Sequence, residues 1–299
     1  MSTTIKELFG FNDVKLGNPE KYFGKTPAVT EVVTSERPVG IEVEVENHSI
    51  NTECRSGMWQ LTQDGSLRNT GAEWITHPIK GVWAPYVLRE LFTEVLSKEC
   101  CFSPRTSVHV HVNCRDLTTE QVQDVILLYA CIEPLYFKFA GRGRAKNIYC
   151  VPLVDTKLLE FSSHSKMEAL IGTWSKYTGF NIVPLADKGT IEFRHMHGTN
   201  DHDKLTIWVR LITKLIDYVV GAGTSTIRKL VSGMDSGTNI DDLLIDIFGT
   251  DVNKFKYEAY DEIRPAVENA KVAFMAPKTY QALLNERNLK AAYFMTKGK

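Results

Sequence analysis

Three short segments, residues 40–46, 107–113 and 190–194, alternate polar side chains that seek metal ions with β-branched or aromatic ones. Only a strand can use a period of two, because successive side chains leave it on opposite faces. In Gly-Ile-Glu-Val-Glu-Val-Glu, Ile41, Val43 and Val45 are expected to pack on one side while Glu42, Glu44 and Glu46 emerge together on the other. Val108, Val110 and Val112 stand in the same relation to His109, His111 and Asn113, and Ile191 and Phe193 to Glu192 and Arg194. If these strands share one sheet, its polar face gathers carboxylates, two imidazoles and a guanidinium, which together suit a divalent metal and a phosphate.

The remaining pattern predicts helices for the other side of that sheet. Residues 58–67 and 71–77 read as two strands around a turn at Asp64-Gly65, closed by Pro78. Apolar residues recur at helical spacing over 82–101, and Thr118 with Gln121 forms a capping box that opens a helix through Ile132, which Pro134 should kink or end. A Gly- and Arg-rich loop over 141–146 precedes an expected strand at 148–153, a short helix at 166–174 and a strand at 180–184. A long helix is expected over 203–220. Residues 1–37, broken by glycine and proline, read as an irregular arm with one short helix; 38–220 form the main domain; 221–299 form a helical appendage.

Composition narrows the functional classes. The 299 residues are 43% hydrophobic and 24% charged with a formal net charge of -1, so no global field attracts nucleic acid or an anionic membrane, and an anionic ligand needs a local cluster. No window approaches a membrane span and residues 1–10 lack a signal-peptide layout, so a cytoplasmic location is the default. The six cysteines include no Cys-x-x-Cys pair, which fits neither a zinc ribbon nor a disulfide framework.

Each polar strand alone has an ordinary explanation. Glu-x-Glu suits the wet face of any half-solvated strand, a strand histidine is more often a satisfied one than a ligand, and Glu-x-Arg can bridge to a neighbour. Their conjunction, with Asp64 in Asp-Gly-Ser and Glu73 in Gly-Ala-Glu-Trp, is harder to dismiss. Many carboxylates with few imidazoles favour hard cations such as Mg²⁺ or Mn²⁺ over a closed zinc site.

The order Gly-x-Glu-x-Glu, Asp-x-Ser then Gly-x-Glu, His-x-His-x-Asn, Arg-x-x-Asn-x-Tyr-Cys and Gly-Thr-x-Glu-Phe-Arg, ending in Gly-Thr-x-Asp before a Trp-containing helix, resembles the amidoligase family. That family belongs to the carboxylate–amine ligases with the glutamine synthetase fold. The resemblance runs from about residue 38 to 220. It implies an α+β fold, a curved antiparallel sheet of glutamine synthetase type with helices packed on its outer face, and an ATP site on the concave polar face. By motif, Glu42, His109 and Glu192 would hold a metal bridging the terminal phosphates of ATP, and Glu44 and Glu73 a second ion near the acceptor carboxylate. His111, Asn113 and Asn181 would contact phosphate or nucleotide, with Asn181 also able to serve a turn. Arg194 would neutralise the transferred phosphate, and Arg144 would assist from a mobile loop, with Arg142 as its competitor. His195, His197 and His202 read as loop residues.

The implied activity is ATP-dependent amide formation through an acyl phosphate, with Asp64 or a carboxylate near Glu73 helping to deprotonate the amine. Members of the family are associated with amino-acid, peptide and protein-tag modification, often in phage or bacterial genomes, so the acceptor is expected among these and an oligomer is open. No nucleic acid or membrane is expected as a partner. The rivals are a guanidino kinase on the same fold, a metal-dependent hydrolase, and a non-catalytic module that binds a nucleotide or partner.

Overall fold

The alternation of the two central segments is realised as strand pairing. In the computed structural model, β1 (Pro38–Val45) and β5 (Ser107–Asn113) lie side by side and antiparallel, with Glu42 opposite His109 and Ile41 opposite Val110. The structure describes residues 3–25, 35–48, 54–96, 100–141, 143–163, 165–234, 240–254 and 256–275. Its elements in chain order are α1 (Ile5–Phe9), α2 (Glu20–Phe23), β1, β2 (Trp59–Thr62), β3 (Ala72–Thr76), β4 (Ile79–Lys80), α3 (Ala84–Glu90), β5, α4 (Thr119–Ala140), α5 (Leu158–Ser162), α6 (Met167–Thr173), β6 (Phe180–Asn181), β7 (Thr190–His197), α7 (His202–Ala222), α8 (Thr224–Gly233), α9 (Ile240–Phe248) and α10 (Lys256–Met275).

The strands form one antiparallel seven-stranded sheet in the order β2-β3-β1-β5-β7-β6, with β4 pairing to β1 off this path. One face is apolar: Ile41, Val43, Val108, Val110, Ile191 and Phe193 are fully buried there. The helices α4 and α7 pack on that side. The α+β class expected from the sequence is therefore present. No helix of the described residues is long and apolar enough to cross a membrane.

Between β5 and β7 the register slips: Val108 faces Met196 but Val110 faces Phe193. Three steps on β7 thus match two on β5, so Arg194 and His195 share the place opposite His109. Such a bulge bends the strand and re-aims its side chains.

Several local expectations change. Pro134 neither ends nor bounds α4, which runs unbroken from Thr119 to Ala140 behind its capping box. An interior proline costs about 3 kcal/mol. Burial of Val125, Ile126, Leu128, Ile132 and Leu135, at ~1.5–3 kcal/mol each, outweighs it. The expected strand at 148–153 is absent. There Asn147 Oδ1 accepts the Tyr149 N–H at 2.8 Å and Asn147 O the Cys150 N–H at 3.0 Å, so local turns win over the ladder. The helix expected over 82–101 passes from a 3₁₀ turn into α3 and a π turn (Leu91–Val95), then stops at Leu96, which is extended. The strand expected at 180–184 is reduced to two residues followed by a 3₁₀ turn at Val183–Leu185. His195 and His197 belong to β7 rather than to a loop, and His202 opens α7.

The described part of the N-terminal arm carries two short helices and is tied down at two points. Ile5 N–H donates to Leu117 O at 2.8 Å, and Gly17 N–H to Pro78 O at 2.8 Å. A Cβ at Gly17 would lie 2.9 Å from Met58 Sδ and 3.2 Å from His77 Cβ, so a larger residue there would have to displace Met58. At the other end of the chain, α8 packs on α4 and α7, α9 on α7, and α10 along α4. Arg228 pairs with the buried Asp124 at 2.9 Å, and Lys138 with Glu262 at 2.7 Å.

Candidate active site

On the sheet's polar face the strand registers bring together residues far apart in sequence. Glu42 faces His109, Glu44 faces Glu73, and Glu192 faces both His111 and Asn181. Two groups result whose ligand atoms lie within 4.8 Å of one another: Glu42, His109 and Glu192, and Glu44, Glu73 and His109.

His109 stands between the groups and is buried. Its Nδ1 is 3.4 Å from Glu42 Oε2 and 3.4 Å from Glu192 Oε1, while its Nε2 is 2.7 Å from Ser107 Oγ and 4.0 Å from Glu44 Oε1. The Ser107 N–H and Oγ–H both donate to Glu44 Oε2 at 2.8 Å. Ser107 therefore has no hydrogen left for the ring and must accept from Nε2–H. In a neutral His109 that assignment leaves the Nδ1 lone pair aimed between Glu42 and Glu192. A metal ligand whose other ring nitrogen is held by hydrogen bonding is the usual arrangement. The first group thus has two carboxylates and an imidazole, and the second rests on Glu44 and Glu73.

The charges respond to this crowding. Burial and Arg194 push His109 down, but Glu42, Glu192 and Glu44 outweigh them and its pKa is raised. Burial works against ionised Glu42, yet its bonds to His109 and His111 hold it well below the ordinary carboxylate range. Glu73 goes the other way: burial, then Glu42 and Glu44 against the opposing pull of His109, push it up to about 7. Its supports are weak, with one Thr62 hydroxyl at 3.2 Å. A face with surplus negative charge and one carboxylate that resists ionisation is chemically matched to a hard divalent cation.

Around this core, His111 Nε2 meets Glu42 Oε1 at 3.1 Å, and its Nδ1 meets Thr190 Oγ1 at 3.0 Å. Asn181 donates to Glu192 Oε2 at 2.7 Å and accepts the Val183 N–H at 3.0 Å, so it orients a carboxylate and serves a turn at once. Arg194 Nη1 sits 2.5 Å from Glu192 Oε1 and 3.5 Å from His109 Nδ1. Asp64 lies outside both groups, in the β2–β3 turn, where its Oδ1 accepts the Ser66 N–H at 2.8 Å.

Arg144 differs from the expectation of a free loop side chain. It is buried in a 3₁₀ turn (Arg144–Lys146), and its guanidinium donates to His195 O at 2.6 Å and Arg194 O at 2.7 Å. It braces the bulge from which Arg194 projects. Arg142 lies outside the described residues. Behind the bulge, Tyr129 OH donates to Glu133 Oε1 at 2.8 Å and accepts from His195 Nε2 at 2.7 Å. The Glu133 carboxylate also accepts the Leu153 N–H at 2.6 Å and the Val154 N–H at 3.1 Å. His195 is enclosed by Tyr129, Tyr136, Phe137 and Trp208, and its burial drives its pKa well below the ordinary histidine value.

A cavity of about 360 Å³ opens beside Glu42 and His111, on the side away from Glu73. Gly40, Ile75, Pro78, Val14 of the arm, Asn113 and Lys188 are among the residues that line it. Lys188 Nζ is 3.7 Å from Glu42 Oε1. Asn113 also anchors the start of β1, because its carbonyl accepts from Arg37 at 2.9 Å. Ser107, Thr190 and Lys188 were not among the expected site residues. Ser107 and Thr190 are two residues before His109 and Glu192, and the same period of two that singled out those ligands places them on the polar face.

The fold and these side chains define a protein with a paired carboxylate–imidazole centre on an antiparallel sheet. A family model described as a putative amidoligase enzyme matches residues 87–216, which supports the amidoligase assignment drawn from the motifs. The matched segment holds His109, His111, Asn113, Arg144, Asn181, Glu192 and Arg194, whereas Glu42, Glu44, Asp64 and Glu73 precede it. No curated protein matches the chain.

Proposed function

We propose that the protein is an ATP-dependent carboxylate–amine ligase that works through an acyl phosphate. The observation carrying this is the pair of carboxylate groups that share His109 on one sheet face, with Arg194 paired to Glu192 in the first. The amidoligase match agrees with it.

Glu42, His109 and Glu192 would hold one Mg²⁺ or Mn²⁺, and Glu44 and Glu73 a second; the donor chemistry fits such ions, and burial with the charges of Glu42 and Glu44 raises Glu73 to about 7. Bound there, the ions would withdraw charge from the phosphates of ATP and orient them. The adenosine part of ATP would take the cavity lined by Ile75, Pro78 and Val14, with Lys188 beside its phosphates.

The substrate carboxylate attacks the γ-phosphorus and ADP leaves. Arg194 stabilises the charge on the transferred phosphoryl group by preorganised hydrogen bonding. Arg144 and the Tyr129–His195 pair act on that step indirectly, by holding the backbone that aims Arg194. The amine then attacks the acyl carbon and phosphate leaves, while Asp64 or a carboxylate near Glu73 receives the amine proton.

The test is ATP turnover by the full chain with Mg²⁺ and mixed amino acids, polyamines and peptides, read by phosphate release and mass spectrometry beside a Glu42→Gln control. Amine-dependent phosphate release with an amide product, lost in the control, is expected. A phosphoguanidine with ADP would mean a guanidino kinase. Hydrolysis without nucleotide would mean a metal hydrolase.

A further inference from the structure

At the Arg194 end the candidate site opens onto surface that is unusually apolar for its position. Among the described residues, Ile148 is 71% exposed, Tyr149 47% and Tyr177 42%. Scattered exposed apolar residues need no explanation, but a group of them at the mouth of a site does. The two tyrosine rings lie 5.8 Å apart in an edge-on arrangement, and the Lys176 ammonium is 5.2 Å from the Tyr177 ring centre.

This surface is held rigidly. Val151 N–H donates to Tyr177 O at 2.7 Å and Gly179 N–H to Val151 O at 2.9 Å, which locks the two segments together. They are continuous with the site, because Arg194 N–H donates to Gly179 O at 2.8 Å and its Nε reaches Tyr149 O at 3.5 Å. A Cβ at Gly179 would come within 2.9 Å of His195 Nε2, so glycine is what lets this segment lie against the bulge. The exposure of the tyrosines is therefore built into the fold. Residues 141–151 and 175–179 carry Lys146 and Lys176 and no aspartate or glutamate.

We propose that this shelf of Ile148, Tyr149 and Tyr177 binds a peptide carrying the reacting carboxylate, with an apolar or aromatic side chain next to that carboxylate seated on the tyrosines. The assignment of the carboxylate as the reacting group rests on the ligase proposed above. The positive rim matches a carboxylate. An open shelf offers a small free amino acid too little enclosure, whereas an extended chain can cover it, and tyrosine and arginine are both enriched among the residues that dominate protein contacts. The opposite end of the site is the cavity assigned above to the adenosine part of ATP, which leaves this end for the substrate. Tyrosines with basic neighbours can also stack nucleic-acid bases, an alternative that the oligothymidylate arm of the test separates.

The test is fluorescence anisotropy on the full chain without nucleotide, using dye-labelled Gly-Gly-Gly-Phe-Glu, Gly-Gly-Gly-Ser-Glu and an oligothymidylate. The Phe peptide is expected to bind about tenfold tighter than the Ser peptide, with the difference erased by Tyr149→Ala plus Tyr177→Ala and kept by Tyr149→Phe. Equal affinities, a preference that survives the double substitution, or tyrosine-dependent binding of the oligothymidylate alone would overturn the proposal. Calorimetric binding of a non-hydrolysable Mg·ATP analogue, expected to be equal in wild type and double variant, separates the two claims. A chain that binds no nucleotide yet keeps the peptide preference loses the ligase assignment and retains the shelf. Amide synthesis without any Phe preference does the reverse.

Discussion

Replacing Glu73 with Gln removes one carboxylate from a face that holds too many. Burial and the charges of Glu42 and Glu44 push Glu73 from an ordinary 4.5 to about 7. A rise of about 2.5 at ~1.36 kcal/mol per pKa unit corresponds to ~3 kcal/mol. Glu73 is only half-buried, so solvent screening reduces the expected effect to ~1–3 kcal/mol. The sign follows from proton linkage. Between 4.5 and about 7 the folded chain holds the Glu73 proton more tightly than the unfolded chain does. The wild type therefore loses stability as pH rises through that window, and the loss is complete above it. Glu73→Gln lacks this loss. Urea unfolding of metal-free protein should show the variant gaining ~1–3 kcal/mol on wild type between about pH 4.5 and pH 8, whatever constant offset the altered Thr62 contact adds. Saturating Mn²⁺ should then favour the wild type at the higher pH. A difference that does not change with pH, or that shrinks as pH rises, would refute the view of Glu73 as a carboxylate strained by its neighbours.

Three other outcomes follow from the supporting shell. Ser107→Ala removes the hydroxyl that links His109 Nε2 to Glu44, and Mn²⁺ affinity measured by calorimetry should fall about 10–100-fold with the fold unchanged. Tyr129→Phe strips both Glu133 and His195 of a buried partner, so unfolding experiments should show a loss of ~1–3 kcal/mol. Arg144→Lys cannot keep both donations to the Arg194 and His195 carbonyls; ligase turnover should drop with Mn²⁺ affinity retained, since no candidate ligand is removed.

The parts of the site that could be read from the sequence are those governed by a local period. Glu42, Glu44, His109, His111, Glu192 and Arg194 lie on alternating strands, and the antiparallel registers bring them onto one face. The capping box at Thr118 and Gln121 is likewise local and is present. What escaped depends on three-dimensional context. His195 keeps the inward phase of Ile191 and Phe193, but the β5–β7 bulge turns Met196 inward as well, which strict alternation does not allow, so the run of β7 beyond Arg194 read as a loop. Arg144 looked like a mobile-loop arginine because it follows Gly141 and Gly143, yet its partners are carbonyls about fifty residues away. Pro134 sits inside α4 because burial along the helix outweighs its local cost.

The proposed reaction requires this face to bind two divalent ions between its carboxylates and a nucleotide. Counting Mn²⁺ ions by electron paramagnetic resonance during titration, with a non-hydrolysable ATP analogue present, tests it directly. Two ions per wild-type chain are predicted, one of them lost in Glu42→Gln and the other in Glu44→Gln. Binding of no ion, or of ions that neither substitution displaces, would contradict it.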